Sequence, residues 1–418
     1  MANKKVVVCG GGFGGLETLS YLKYKLKDRV DITLISDKDY FLFKPNTIYI
    51  PFGKDPKDFM FSYVDSAKKL NIQFYKASVE GIDPSKQIVY ADGKSFEYDY
   101  LVLAMGAKMK PEEVEGLEQY ANTIWTPDEM MRLRESINRL IDKAKEGKFQ
   151  NVLFLVPPNN KCSGPLYEIV FMLDTYLRRK GVRDKVSITY TTYEKTFIQA
   201  FGPRLHQVVS GEFEKRKITG YNEYVVEKVL ANEVRYRNGK SLPFDLLISF
   251  PPYYASTYIS GLRSDERGFI ATKLETRQVL DYPNIYAVGD IGDFPVKQAF
   301  LALLQGDAVA EHIFSDIEKI DFHDGFTPTS MCIMEQFDKA TFAQVPLQLT
   351  GNPERPVEVR QSDISMYKVG SSKVWRLGKK LLGAYLPWRF KNCKPFHAGP
   401  IWTFMDFGVK IMSKLFAS

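Results

Sequence analysis

Apolar runs that alternate with helical patterns organise most of the chain. Three runs are typical of buried strands and cover Lys4–Cys9 and residues 30–35 and 151–156. The first and the third are each followed by apolar residues at helical spacing, at residues 16–26 and 166–178. We interpret this order as an α/β protein with two Rossmann-like dinucleotide-binding domains.

A helical pattern with two opposite faces ends the chain at residues 404–416. One face carries charged residues and the other apolar residues, namely Asp406, Lys410 and Lys414 against Phe404, Phe407, Ile411 and Leu415. This pattern predicts an amphipathic membrane-binding segment, and a dimerisation helix with the same stripe is the alternative. No apolar stretch reaches about 18 residues, so we expect the protein to meet a membrane from one side.

Composition is that of a globular protein, and charge is concentrated in the tail. The 418 residues include 57 Lys and Arg, 50 Asp and Glu, and 44% hydrophobic residues, which predicts two domains or one two-lobed fold. The net charge is +7, but residues 368–418 alone contain about ten Lys and Arg and one acid, Asp406. The rest of the chain is therefore close to neutral, which argues against a nucleic-acid partner.

The cysteine and histidine usage excludes two further classes. Four Cys in a chain of this length do not make a disulfide scaffold, and without a CxxC pair and with only four His no metal site is predicted. Cys9 and Cys393 are interpreted as structural, since one lies in a strand and the other in the basic tail. The N-terminal apolar run leads into a glycine loop instead of a cleavage site, so no signal peptide is expected.

The loop after the first strand carries a phosphate-binding pattern. Gly10, Gly12 and Gly15 form GxGxxG between a strand and a helix. Glycines allow a tight turn and a close approach of a pyrophosphate, while the helix N-terminus offers free N–H donors. The ribose should be bound at the end of the second strand, by Ser36 or by Asp37.

Two later segments indicate which dinucleotide is bound. Residues 98–107 end in a small-residue turn with Ala104 and Gly106, and residues 284–290 end in Gly289 and Asp290. Both resemble the corresponding segments of FAD-binding pyridine nucleotide-disulfide oxidoreductases. The resemblance implies FAD as cofactor, with Asp290 on its ribityl chain.

The middle of the chain lacks a second glycine motif. After the strand at residues 151–156, residues 157–165 read PPNNKCSGP, and prolines and a lysine stand where a second pyrophosphate would need bare backbone. This argues against an NADH dehydrogenase. Cys162 stands instead at the start of a helix, where a lowered thiol pKa is expected.

This loop and the segment at residues 35–46 resemble sulfide:quinone oxidoreductases. The resemblance implies two redox cysteines, Cys162 and Cys332, with Cys332 beside the flavin and Cys162 holding the sulfur chain. Trp125 stands where the commoner form of the family has a third cysteine, which puts a covalent cysteine–flavin link in doubt, and Glu129 or a neighbour replaces a histidine. His206 falls either on the sulfide entry path or at the surface.

The expected protein is a membrane-peripheral flavoenzyme of the cell membrane that oxidises sulfide to sulfur or polysulfide and reduces a membrane quinone. Lys297 is expected to balance charge on the reduced flavin, or else to be a solvated lysine. The alternatives are a type II NADH:quinone dehydrogenase and a non-catalytic flavin-bearing sensor or adaptor. A homo-oligomer is left open.

The expected domains follow the same resemblance. Residues 1–110 and 268–320 should form a discontinuous FAD-binding domain, and residues 111–267 a second Rossmann-like domain without a nicotinamide site that carries Cys162. Residues 321–418 should form a C-terminal domain with Cys332 and the membrane-anchoring tail from about residue 368.

Overall fold

Two five-stranded parallel sheets, which share the order of four of their five strands, form the centre of this computed structural model, which describes residues 3–417. The first sheet has the spatial order Ile285–Ala287, Tyr100–Leu103, Lys4–Cys9, Val30–Ser36 and Gln73–Lys76. The second has the order Asn122–Thr123, Leu246–Ser249, Gln150–Val156, Val186–Thr192 and Thr219–Tyr221. These sheets confirm the α/β prediction.

The helix that follows the central strand of each sheet lies where the sequence pattern predicted one. We call Phe13–Leu26 the glycine-loop helix and Gly164–Arg179 the cysteine-loop helix. The other helices of the described part before the tail are Tyr63–Leu70, Leu117–Tyr120, Pro127–Lys145, Gly202–Arg216 and Ala299–Glu318. Because the central parallel strands are covered on both faces, most of their residues are buried. Three strands at the sheet edges contain no buried residue, namely Gln73–Lys76, Asn122–Thr123 and Thr219–Tyr221.

Along the chain, strands of the first sheet come both before and after those of the second sheet. Ile285–Ala287 pairs with Tyr100–Leu103 after the chain has passed through the second sheet. The division into domains, including the discontinuous first one, stays a prediction. Positions 1, 2 and 418, at the ends of the first and last predicted domains, lie outside the described residues.

An antiparallel sheet carries the second cysteine and leads into the tail. Its strands are Thr329–Glu335, Ala340–Leu349, Val357–Val359 and Lys368–Ser372. Smaller antiparallel pairs and triplets are formed by Tyr40–Leu42 with Met60–Ser62, by Val79–Asp83, Ile88–Ala91 and Lys94–Glu97, by Ala107–Met109 with Tyr253–Ala255, and by Val226–Val229, Glu233–Tyr236 and Ser241–Pro243.

Two tail helices, Lys373–Lys391 and Pro400–Phe416, complete the structure. The second helix starts four residues before the predicted one, with Pro400 in its first turn, where proline is well tolerated. Its predicted apolar face is exposed, with 77% of Phe404 and 70% of Leu415 accessible. None of the helices within residues 3–417 combines the length and apolar character needed to cross a bilayer.

A buried polar cluster fastens the turn between the tail helices to the body. The Glu17 carboxylate accepts hydrogen bonds from the backbone N–H groups of Phe396 at 2.6 Å and His397 at 3.3 Å, and His397 Nδ1 contacts Asp307. Ligand atoms of Glu17, Asp307 and His397 lie within 4.8 Å of one another. These three residues are far apart along the chain, and no local sequence pattern relates them.

Candidate active site

The glycine loop is built by steric necessity. Gly10 has φ +103°, and a Cβ there would lie 2.4 Å from the carbonyl oxygen of Ala104. A Cβ on Gly15 would lie 2.1 Å from the carbonyl oxygen of Gly10, so Gly15 allows the helix to pack against the turn. A Cβ on Gly12 would be in ordinary contact, at 3.9 Å, with the Ala104 carbonyl oxygen, and Gly12 is the N-cap of the glycine-loop helix. The backbone N–H groups at the start of the glycine-loop helix are therefore available as hydrogen-bond donors to a ligand.

One large cavity of about 740 Å³ begins at this loop. Its lining includes every predicted site residue except Gly15, which is set back behind the turn: Gly10, Gly12, Ser36, Asp37, Ala104, Gly106, Cys162, Gly289, Asp290, Lys297 and Cys332. The structure thus brings together residues from both parallel sheets and from the antiparallel sheet. The size is within the range of ordinary cofactor and ligand sites.

Both candidates for binding the ribose, Ser36 and Asp37, line the cavity. Ser36 is buried at the end of its strand, and its hydroxyl is 3.4 Å from the backbone nitrogen of Lys38. Asp37 is exposed at the next position and also lines the cavity. A carboxylate accepts hydrogen bonds from a ribose more strongly than a hydroxyl does, so we favour Asp37 as a proposal.

A buried carboxyl group between two amines marks the opposite end. Burial raises the pKa of Asp290, whereas the positive charges of Lys297 and Lys44 lower it. Burial in turn lowers the pKa of Lys297 to about 7. Its Nζ donates to the carbonyl oxygen of Gly292 and lies 3.9 Å from the centre of the Phe269 ring. Lys297 is therefore not a solvated lysine.

The two cysteines reach the cavity from different elements. Cys162 ends the loop before the cysteine-loop helix, and Cys332 lies on Thr329–Glu335. A negative charge on Cys332 is one of the causes that raise the pKa of Cys162, so the two groups are electrostatic neighbours. Within residues 3–417 neither forms a disulfide in this structure.

The expectation of a lowered pKa for Cys162 is wrong. Burial raises the pKa of this thiol to about 12, and the charge of Asp290 adds to the effect. The backbone N–H of Gly164 lowers the pKa but does not offset burial. Burial likewise raises the pKa of Cys332 to about 12. A helix N-terminus is thus a smaller influence here than removal from water.

A buried glutamate beside Cys332 was missed by the sequence analysis. Glu168 of the cysteine-loop helix accepts a hydrogen bond from the backbone N–H of Glu335 at 2.7 Å and pairs with Lys379 of the first tail helix. Burial raises its pKa, and its charge raises that of Cys332. Glu168 and Asp174 are the two acids among the apolar residues of this helix, and an acid at such a position was the available signal.

The family's third cysteine position holds an aromatic ring with a lysine over it. Lys44 Nζ lies 3.0 Å from the centre of the Trp125 ring, and both residues line the cavity. Burial lowers the pKa of Lys44 to about 7. Glu129 forms a capping box with Thr126, through bonds of 2.6 and 3.2 Å, and so closes the start of a helix.

The remaining sequence candidates lie away from the cavity. His206 Nδ1 accepts a hydrogen bond from the backbone N–H of Phe197 at 3.0 Å, which ties it to the local turn and not to a sulfide path. Cys9 is fully buried in the first sheet. The Cys393 thiol lies 3.4 Å from the carbonyl oxygen of Ser66.

The sequence is similar to those of known oxidoreductases. Residues 4–146 match the family profile of pyridine nucleotide-disulphide oxidoreductases. The sulfide-quinone reductase of Aquifex aeolicus is 28% identical over 366 residues, 81% of this chain and 83% of the relative. The chain is related to sulfide:quinone oxidoreductases.

Structural similarity extends over nearly the whole chain. The crystal structure of the sulfide:quinone oxidoreductase from Aquifex aeolicus matches with a TM-score of 0.81 at 24% identity, covering 98% of this chain and 94% of that one. A type II NADH:quinone oxidoreductase of Staphylococcus saprophyticus is 22% identical over 346 residues, 75% of this chain and 83% of the relative. The chain is thus similar in fold to the first of these proteins and in sequence to both classes of quinone reductase.

The residues fit FAD, the cofactor of this family. The bare glycine turn can accept a pyrophosphate, and the end of Val30–Ser36 can accept a ribose. Asp290 provides a buried acceptor farther along the cavity, next to the amines of Lys44 and Lys297. We propose Gly10, Gly12, Asp37, Asp290 and Lys297 as the residues that hold it.

Proposed function

We propose that this protein is a flavoenzyme that oxidises sulfide at Cys162 and Cys332 and passes the electrons to a quinone. The observation that carries the proposal is the convergence of both cysteines on the cavity of the glycine loop. Two sulfur atoms beside a dinucleotide site are the elements of a thiol–disulfide redox centre.

The reaction begins from a Cys162–Cys332 disulfide. Hydrosulfide attacks the Cys162 sulfur, the disulfide bond breaks, and Cys332 leaves as a thiolate while Cys162 becomes a persulfide. Loss of two electrons and one proton then joins the persulfide to Cys332 as a trisulfide. FAD supplies the two-electron acceptor for this step.

Three neighbouring residues handle charge in this sequence. Lys379 stabilises the Cys332 thiolate, since its charge lowers that pKa. Glu168, close to Cys332, is placed to take the proton of the persulfide through its carboxylate. Lys297 balances negative charge that enters the cavity near Asp290.

The tail is the proposed entry for a membrane quinone. The cavity is also lined by apolar residues of the two tail helices: Leu382, Leu386, Trp402, Met405 and Val409. On their outer side these helices expose Leu377, Leu381, Phe404 and Phe407 beside basic residues. A peripheral membrane position would let an apolar quinone reach the cavity without passing through water.

Vesicle binding tests the tail. Phe404→Ser together with Phe407→Ser should reduce co-sedimentation with vesicles that contain anionic lipid and leave the flavin spectrum unchanged. The exposed aromatic Phe149 lies outside the tail, and Phe149→Ser is the matched control. If the tail variant bound vesicles normally and instead lost a dimer, the dimerisation alternative would hold.

Anaerobic titration tests the activity. Sulfide should bleach the flavin of the wild type, and a short-chain quinone should restore its colour. Cys162→Ser and Cys332→Ser should each lose sulfide-dependent quinone reduction, whereas Cys393→Ser should retain it because this thiol lies outside the cavity. Full activity in both site variants would exclude the proposed chemistry.

NADH oxidation is the competing function, favoured by the resemblance to type II NADH:quinone oxidoreductases. Against it stands the loop before the cysteine-loop helix, where Pro157, Pro158 and Lys161 replace a glycine turn. Bleaching of the flavin by NADH but not by sulfide would establish this alternative. Bleaching by sulfide without turnover by any quinone would instead indicate a sensor.

A further inference from the structure

An aromatic wall closes one side of the cavity next to Cys162. The Trp125 ring centre lies 5.9 Å from that of Phe250 and 5.6 Å from that of Tyr253, and these two rings are 5.4 Å apart. All three residues line the cavity, and Phe250 and Tyr253 are almost fully buried. Three mutually packed rings form a rigid surface.

The wall is held at a fixed position relative to Cys162. The Asn160 side chain accepts a hydrogen bond from the backbone N–H of Cys162 at 3.0 Å and donates one to the carbonyl oxygen of Phe250 at 2.8 Å. The backbone N–H of Tyr253 donates to the carbonyl oxygen of Asn159 at 3.1 Å. The segment that carries the sulfur and the segment that carries two of the rings are therefore joined by these hydrogen bonds.

Trp125 itself is fixed from the other side. Lys44 lies over its ring, and the backbone N–H of Trp125 donates to Glu129 at 2.9 Å. The Lys44 amine packed against the indole face and the bonded backbone restrict the orientation of the ring. Trp125 is thus a preorganised part of the wall and not a mobile cover.

We propose that Trp125, with Phe250 and Tyr253, limits the length of the sulfur chain that grows on Cys162. This inference rests on the proposed sulfide oxidation. A bulky side chain occupies space in which a chain of added sulfur atoms would extend, so release should come after fewer additions than with a small side chain at position 125.

The growth and release steps balance. Each cycle adds one sulfur atom as hydrosulfide, which breaks the bond to Cys332, and the two electrons and one proton of the rejoining step leave toward the quinone. For release, the Cys332 thiolate attacks the Cys162 sulfur, the Cys162–Cys332 disulfide re-forms, and the polysulfide anion departs. When further addition is sterically blocked, release is the step that remains available.

Product length tests the proposal. The holoenzyme is supplied with sulfide and a short-chain quinone without oxygen, and released polysulfides are alkylated and resolved by mass spectrometry after equal numbers of turnovers. Trp125→Ala should lengthen the mean product by at least one sulfur atom, and Trp125→Leu should give an intermediate length. Trp125→Phe should keep the wild-type distribution, since an aromatic ring remains.

Tyr258→Ala is the matched control. This side chain is an aromatic 70% exposed, outside the cavity and close in sequence to Tyr253, and its removal should change neither turnover nor product length. If Trp125→Ala does not retain flavin, the Leu variant carries the test. Unchanged product lengths in active Trp125 variants would overturn the inference alone, whereas a wild type inactive with sulfide would overturn the proposed function and the inference with it.

Discussion

The two parallel sheets place different chemistry at the same point of the same topology. In each, a central strand leads through a short loop into a helix, from Lys4–Cys9 to Phe13–Leu26 and from Gln150–Val156 to Gly164–Arg179. The first loop is glycine with bare backbone, and the second is proline and asparagine with a thiol. The shared fold therefore sets where a site lies, and the loop sets what the site does.

The second loop replaces backbone donors by side-chain anchoring. Asn159 takes a left-handed backbone with φ 64°, which asparagine tolerates better than most residues. Asn160 bonds to the backbone of both Cys162 and Phe250 and is itself buried. The loop is ordered by these contacts, and its order serves to position one sulfur atom.

The largest effect is expected from adding a side chain at Gly10 in the first loop. Gly10→Ala would place a methyl group against the Ala104 carbonyl oxygen in a left-handed backbone, so we expect loss of bound FAD. The ratio of flavin to protein absorbance after purification measures it. Gly147→Ala is the matched control, because Gly147 has φ +86° with open space around it. Equal flavin content in both variants would contradict the assigned role of the first loop.

A smaller effect concerns the reactivity of the second loop. With pKa values of about 12, Cys162 and Cys332 should be alkylated by iodoacetamide at pH 8 on the order of 100- to 1,000-fold more slowly than an ordinary exposed thiol. The rate should rise with pH up to the limit of protein stability, because only the thiolate reacts. Peptide mass spectrometry of the reduced protein follows each site, and a rate that levels off near pH 7 would show that the thiols are activated.

The variant Asp290→Asn distinguishes the effect of charge on the pKa of Cys162 from the effect of burial. The carboxylate of Asp290 raises the pKa of Cys162, so Asp290→Asn should lower that pKa and speed alkylation of Cys162 at fixed pH, by less than burial slows it. Cys332 is the internal reference, since Asp290 is not among the causes of its shift. Equal acceleration at both sites would indicate that the cavity had opened to water instead.

The sequence predicted what depends on local backbone geometry. The strand, glycine turn and helix at Gly10 follow from spacing, and the amphipathic faces of residues 404–416 follow from period alone. The meeting of Cys162 and Cys332 came from family resemblance, because no local pattern relates two distant segments.

The wrong and missed assignments concern residues whose environment is set by residues distant in sequence. The pKa of Cys162 is raised by burial and by Asp290, which follows a strand of the other parallel sheet, and the N–H of Gly164 at the start of its own helix lowers it by less. The role of Glu168 depends on Lys379 from the tail. Lys297 could not be assigned from its sequence position, since its burial is set by packing against Phe269.

The smallest effect is expected from replacing the two prolines of the second loop by glycine, which tests whether this loop can then bind a dinucleotide as the first is proposed to do. Pro157→Gly together with Pro158→Gly adds backbone freedom to the unfolded chain, which should cost about 0.4–1 kcal/mol of stability per site, measured by denaturant unfolding. We expect no NADH-dependent bleaching of the flavin, because Asn160 still fastens the loop to Phe250 and Lys161 still occupies it. Rapid bleaching by NADH in this variant would mean that two prolines alone separate the two loops, and that the anchoring through Asn160 plays no part in the difference.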